Sequence, residues 1–351
     1  MLAALAAAAC AKNVGGEAVY ATGECRRVTL VDSESGKAIV GAEDLAYDAA
    51  MRRVLISAYD RRETERQASA RALDIEQGGI YAAPIDVLKG GASSVTLSSI
   101  VARDNVAGGL RPHGLSFDAA RREITFVNRS YQKIGRKWRM TPRIERAGAD
   151  GAVFVGDGGN PRCSANDVVN MGDQTFVSFD HASCGLRGGM EDLFASRDSG
   201  IDGLDGAGLF DGAGHANGVV ATADDRLALA ATRDKALLVL GADGDRFRID
   251  KSISLPGGPD NLTKATGGAI IAAVYPSLMA IGAQRKLGLG RSGSRIVRVD
   301  IETGAVTLLF NDPDATLFSA ASAAIEEEGV LIIGSALDRG IVVCQRSDAA
   351  S

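Results

Sequence analysis

Cys163-Ser-Ala-Asn166-Asp167-Val-Val, running on through Met171-Gly-Asp-Gln and Thr175-Phe-Val-Ser-Phe to Asp180-His181-Ala-Ser-Cys184, reads as a β-hairpin. Two apolar runs flank a Gly-Asp turn, and their length suits strands rather than helix. Asn166 and Asp167 put two oxygen-bearing side chains at the mouth of the first strand, and a cysteine stands at each end.

The same register recurs along the chain. Glu43-Asp-Leu-Ala-Tyr-Asp leads through Ala-Ala-Met-Arg-Arg to Val54-Leu-Ile-Ser. His113-Gly-Leu-Ser-Phe-Asp leads through Ala-Ala-Arg-Arg-Glu to Ile124-Thr-Phe-Val-Asn. Asn217-Gly-Val-Val leads to Leu227-Ala-Leu-Ala, and Asp260-Asn261-Leu-Thr leads to Ile270-Ile-Ala-Ala-Val. A weaker sixth copy starts at Ser319-Ala-Ala-Ser and leads to Val330-Leu-Ile-Ile. Each unit is a polar residue, a short strand, a turn and a more apolar strand. Further strand candidates lie between the hairpins, among them Ala236-Leu-Leu-Val-Leu and Arg295-Ile-Val-Arg-Val. Two hairpins per unit make the four-stranded blade of a propeller, so the spacing predicts an all-β, six-bladed β-propeller. The first strand of each blade lines the channel. Glu43, His113, Asn166, Asn217, Asp260 and Ser319 are therefore expected to meet around the axis. Carboxylate and amide oxygens are the ligand set of Ca2+. Asn-Asp, Asn-Gly and Asp-Asn are also ordinary turn dipeptides, and only their shared register argues for a ring.

Composition agrees. Of 351 residues, 46% are hydrophobic, 5% aromatic and 43 are glycine, which favours short strands and tight turns over a helical bundle. A net charge of −5 offers no basic field for nucleic acid. The Ala- and Leu-rich start is too short to span a bilayer and resembles the tail of an export signal, with Ala7-Ala-Ala-Cys10 loosely like a lipoprotein cleavage site. Residues 1–24 are expected to be a leader, 25–345 the propeller and 346–351 a tail. Cys163 and Cys184 flank one hairpin, Cys25 and Cys344 sit near the ends, and Cys10 is left as a possible lipid anchor. Four cysteines allow three pairings, but no zinc-like cluster competes with disulfides. An exported, periplasmic or outer-surface protein is expected.

Ala42-Glu-Asp-Leu, Arg111-Pro-His-Gly-Leu, Phe126-Val-Asn, Asn166-Asp-Val-Val, Asp180-His181, Ala216-Asn-Gly, Asp260-Asn-Leu and Gly340-Ile-Val-Val-Cys344, taken in order, resemble the paraoxonase/arylesterase family of calcium-dependent lactonases. Its wider superfamily includes gluconolactonases and strictosidine-synthase-like propellers. The resemblance implies a catalytic Ca2+ held by Glu43, Asn166, Asn217, Asp260 and Asn261. It implies a second, structural Ca2+ at Asp44, Asp167 and the backbone of Leu115. It also implies a disulfide joining the first and last strands, Cys25 to Cys344.

The chemistry so implied is hydrolysis of lactones and aryl esters, with the cation polarising the carbonyl. His113 is the expected general base and Glu43 the alternative. The family often backs this histidine with a second one after a Val-Asn pair, where this chain has Arg129. An arginine there is expected to hold His113 neutral by like-charge repulsion. His181, His215 and Tyr275 are expected at the substrate rim. The basic stretch Tyr131 to Arg143 reads as an exposed strand pair, and Gly288-Leu-Gly-Arg-Ser-Gly as a loop. Two readings compete with the hydrolase: a non-catalytic, ion-stabilised binding propeller, favoured by Arg129, and a gluconolactonase-like sugar lactonase.

Overall fold

In each of the six repeats, the polar residue is followed by an aliphatic strand and a tight turn, and the chain closes these units into a ring of six antiparallel blades. The computed structural model describes residues 16–346 apart from 151–153, 160, 186, 189, 190, 192–195 and 223, with residues 154–158 described by backbone alone. Strand β1 (Cys25–Asp32) is the outer strand of the last blade. Blade 1 is β2 (Ala42–Asp48), β3 (Arg53–Ala58) and β4 (Gly79–Pro84), edged by β5 (Ser94–Leu97) and a bridge from Ser99 to Tyr81. Blade 2 is β6 (Pro112–Asp118), β7 (Glu123–Ile134), β8 (Lys137–Gly148) and β9 (Phe154–Gly159). Blade 3 is β10 (Ala165–Met171), β11 (Gln174–Phe179), β12 (Ser199–Gly203) and β13 (Gly208–Ala213). Blade 4 is β14 (Ala216–Ala221), β15 (Leu227–Ala231), β16 (Ala236–Asp243) and β17 (Arg246–Ser254). Blade 5 is β18 (Gly258–Lys264), β19 (Ile270–Tyr275), β20 (Ser294–Val299) and β21 (Val306–Asp312). Blade 6 is β22 (Ala321–Glu327), β23 (Val330–Ser335) and β24 (Ile341–Gln345), completed by β1.

The turn after the first strand follows from sequence. Asp118 Oδ1 accepts from the N–H groups of Ala120 and Arg121, an Asx turn that the Asp-Ala-Ala pattern repeats at Asp48, whose Oδ1 accepts from Met51. Apolar runs without polar alternation become strands buried on both faces. Along β15, Leu227 and Leu229 pack toward blade 3 while Ala228 and Ala230 pack toward blade 5. Among the described residues, the apolar core accordingly divides into six clusters, one in each seam between blades.

Closure is covalent as well as hydrogen-bonded. Cys25 faces Cys344 in the β1–β24 register, and the two form a disulfide with Cα atoms 3.9 Å apart. Beyond it, β1 runs parallel to β5, tying blade 6 to blade 1. Val19 and Tyr20 already belong to the folded body, since their N–H groups donate to Leu308 and Leu309. Cys10 and residues 347–351 lie outside the described residues. No helix among the described residues is long and apolar enough to cross a membrane.

The helices that decorate the blades include α1 (Arg61–Ser69) between β3 and β4, α2 (Ile85–Lys89), and α3 (Leu278–Leu287) between β19 and β20.

Candidate functional site

The innermost strand of every blade begins with the same four-residue pattern: Ala42-Glu-Asp-Leu, Pro112-His-Gly-Leu, Ala165-Asn-Asp-Val, Ala216-Asn-Gly-Val, Pro259-Asp-Asn-Leu and Ala321-Ser-Ala-Ala. Each carries a break in strand register within the pattern. A bulge frees the second residue from the ladder and re-aims its side chain. Glu43, His113, Asn166, Asn217 and Asp260 thereby line one cavity of about 330 Å3 together with His215 and Tyr275. Asn261, next to Asp260, donates from Nδ2 to the Glu43 carbonyl at 2.9 Å.

The sixth position is Ser322, not Ser319. Ser322 is fully buried and its hydroxyl donates to the Glu43 carbonyl at 2.7 Å. Ser319 precedes the strand and instead bonds Gln284 and the Ser292 carbonyl. Blade 6, like blade 3, turns in two residues, Glu328-Gly329, but its second strand is apolar from its first residue, Val330, so counting back from there by the spacing of the other repeats overshoots by three residues.

The third residue of the pattern alternates between large and small: Asp44, Gly114, Asp167, Gly218, Asn261, Ala323. The small residues are required by their neighbours. A Cβ on Gly114 would stand 2.5 Å from Asp167 Cα, and one on Gly218 would stand 2.6 Å from Asn261 Cα. Asp44 accepts from its own neighbour Leu45 and from Leu115 of the next blade, each at 2.8 Å. Asp167 does the same with Val168 and Val219, at 2.7 and 2.8 Å. Leu115 thus meets Asp44 through its N–H, whereas the atom expected at the second cation is its carbonyl.

The ring's polar atoms are not satisfied by protein alone. Asn166 Oδ1, Asn217 Oδ1 and Asn261 Oδ1 are buried without a hydrogen-bond partner among the described residues. Buried unpaired acceptors are costly. Burial pushes the Asp260 carboxyl up to about 6 and Asp167 to about 7, and burial plus the Asp167 charge raises Asp44 well above the carboxylate range. Three orphaned amide oxygens and two carboxylates, Glu43 and Asp260, sit at or beside the same bulge position of neighbouring inner strands. That donor set fits a hard divalent cation such as Ca2+. Asp44 and Asp167, buried, mutually repelling and each keeping free lone pairs, fit a second cation less completely, because all four of their oxygens already accept a backbone N–H.

His113 Nδ1 contacts Glu43 Oε2, and its Nε2 has no partner. Burial first, and then the charges of Arg129 and Arg285, hold its pKa well below the usual imidazole value. Repulsion from Arg129 therefore acts in the direction read from sequence, but burial is the larger cause. Tyr275 is 6% exposed and its hydroxyl bonds Asp260 Oδ2, so it braces a ring carboxylate besides lining the cavity. Thr232, absent from the sequence reading, donates to the Pro259 carbonyl at 2.6 Å and supports the same strand.

A second chamber of about 600 Å3 adjoins the first and shares Arg61, His215, Arg285 and Lys286 with it. Arg129 and His181 line this outer chamber. His181 and His215 pack edge to face at 5.1 Å, and His181 Nδ1 lies 2.6 Å from Asp180 Oδ1. The Cys163–Cys184 disulfide forms part of its wall and clasps the β10–β11 hairpin, Cα to Cα 6.0 Å.

Arg61 and Arg285 are site residues that the sequence reading missed. Their helices carry readable signals. Asp60 caps α1 by accepting from the Glu63 N–H at 2.9 Å, and Ser277 caps α3 by accepting from Ala280 at 3.2 Å, with Gly288 ending that helix at a left-handed φ of 70°.

No protein-family model matches this sequence, and no curated protein matches it either. Solved structures do. A gluconolactonase from Xanthomonas campestris aligns over 96% of this chain and 100% of its own, at 14% identity and a TM-score of 0.51. A luciferin-regenerating enzyme aligns over 95% and 96%, at 11% identity and 0.50. A structure described as a putative gluconolactonase aligns over 91% of both chains, at 13% identity and 0.50. At these identities the likeness concerns the fold, and the fold it supports is the six-bladed β-propeller.

Proposed function

We propose that this protein is an exported, Ca2+-dependent hydrolase of lactones or esters. The observation that carries the reading is the ring of oxygens on the axis, of which three buried amide oxygens have no partner in the protein. Gluconolactonases among the fold's relatives, and two disulfides of the kind that persist in oxidising compartments, support it.

The chain's own residues then divide the work. Glu43, Asn166, Asn217, Asp260 and Asn261 hold the cation. Bound Ca2+ supplies Lewis-acid polarisation of the substrate carbonyl and stabilises the oxyanion that develops on it. Glu43 Oε2 accepts from His113 Nδ1–H, which fixes the tautomer and leaves Nε2 as the acceptor. Kept neutral by burial, Nε2 takes the proton of a water in the cavity as the acyl carbon is attacked, and returns it to the leaving oxygen. Tyr275 keeps Asp260 aimed at the axis. With Arg129 in place of a second histidine, His113 works without a relay partner, and Glu43, already in contact with it, is the alternative base.

The test is a panel of lactones and aryl esters assayed with Ca2+ and after exhaustive chelation. Turnover that vanishes on chelation and returns with Ca2+ supports the reading. Turnover unaffected by chelation removes the cation from it. A protein that binds Ca2+ but turns over nothing in the panel is instead the ion-stabilised binding propeller.

A further inference from the structure

Above the acidic ring stands a cluster of cations that the ring does not need. Arg61 enters from the first turn of α1, Arg129 from β7 and Arg285 from the last turn of α3. Arg61 and Arg285 border both chambers, and Arg129 borders the outer one. Arg61 Nε donates to Glu65 at 3.0 Å. Arg129 is only 7% exposed, yet among the described residues its guanidinium has neither hydrogen bond nor ion pair, and its Nε is buried and unpartnered. The Arg285 guanidinium has no such partner among the described residues either.

A buried guanidinium without a counter-charge is costly to keep. Here one such group, Arg129, sits within electrostatic reach of two half-buried ones, Arg285 and the Glu65-paired Arg61. Burial, and then the charges of Arg61 and Arg129, bring Arg285 down to about 10, and Arg129 is lowered by burial and then by Arg61. The carboxylates that feel them are Glu65 and Asp180. Glu65 is engaged by Arg61 and Asp180 by His181, so neither carboxylate is left over for Arg129 and Arg285, and Arg139 and Lys286 add further positive charge to the outer chamber's wall. A guanidinium fork matches a carboxylate in shape and charge.

We propose that the outer chamber is a carboxylate subsite: the substrate is an ester or lactone that also carries a carboxylate, held by Arg129 and Arg285 while its acyl carbonyl points down to the ring. The substrate assignment rests on the hydrolytic reading of the ring, whereas the anion site stands on the arginines alone. The two are separable by experiment.

The full chain is titrated calorimetrically with 4-carbamoylbutanoate, a monoanion bearing an amide carbonyl, and with its neutral counterpart pentanamide. The carboxylate is expected to bind at least tenfold more tightly. Arg129→Met and Arg285→Met are each expected to remove most of that difference, and Arg129→Lys to retain part of it. Equal affinity for the two probes, or the same preference in both Met variants, overturns the subsite. Melting curves verify that each variant folds. In parallel, kcat/KM is compared for phenyl hydrogen glutarate and phenyl valerate, which differ by the carboxylate. A preference of at least tenfold for the charged ester, lost in the Met variants, supports the substrate class. Hydrolysis of both esters without preference overturns that class and leaves the hydrolase standing. Hydrolysis of neither removes the hydrolytic reading, and the calorimetric preference then decides the anion site by itself.

Discussion

The floor of the central cavity is made of six strands that repeat one pattern, and its roof is made of two helices and a strand that repeat nothing. Floor residues come from the bulge at the start of each inner strand and carry oxygens: Glu43, Asn166, Asn217, Asp260 and Asn261. Roof residues come from segments inserted between the second and third strands of blades 1 and 5, and from the middle of β7. They carry guanidiniums: Arg61, Arg285 and Arg129. Both layers leave buried polar atoms without protein partners. The floor's unpaired oxygens are the basis for the cation proposed here. The roof's unpaired guanidiniums are the basis for the anion subsite proposed here. In the proposed reading, the propeller repeat sets where chemistry happens, and the inserted helices with Arg129 of β7 set what is admitted to it.

That contrast can be broken most forcefully at the floor. Glu43→Gln removes a ring carboxylate and the group that orients His113, and is expected to lower kcat/KM by about 10²–10⁴. Steady-state kinetics at saturating Ca2+ check this, and a loss confined to KM contradicts it. Gly114→Ala places a methyl against Asp167 Cα and the Asn166 carbonyl, 2.5 and 2.8 Å away. Overpacking of that kind costs about 1–3 kcal/mol, so the unfolding midpoint in denaturant is expected to fall. The roof behaves oppositely. Arg129→Met removes an unpaired buried charge and is expected to stabilise the fold by about 1 kcal/mol or more, seen as a higher melting temperature. A lower melting temperature would mean that Arg129 holds the fold rather than a ligand. The smallest effect separates two serines. Ser322→Ala loses a hydrogen bond to the Glu43 carbonyl and is expected to weaken Ca2+ binding about two- to tenfold. Ser319→Ala, off the ring, is expected to leave that affinity unchanged.

Much of the floor was legible in the sequence because its logic is local and repeated. A polar residue before an aliphatic run, at constant spacing in five blades, locates the axis without any long-range information. The reading slipped only where the spacing changed. In Ser319-Ala-Ala-Ser322-Ala-Ala two serines offer themselves, and a two-residue turn followed by a strand apolar from its first residue selects the second. The Cys25–Cys344 pairing came from the family resemblance, and the strand register bears it out. The roof was illegible for a different reason. Arg129 was recognised as a departure, but Arg61 and Arg285 sit in insertions whose docking depends on tertiary packing over the channel. Their helix caps were readable; where the helices would lie was not.

The central claim is that the axial oxygens hold Ca2+. Its most direct test is calorimetric titration of the chelated, metal-free chain with Ca2+, repeated on Asp260→Asn and Asn166→Ala. Saturable binding in the parent chain, weakened by more than about tenfold in both variants, is the result predicted. No saturable binding, or an affinity indifferent to both substitutions, would contradict it.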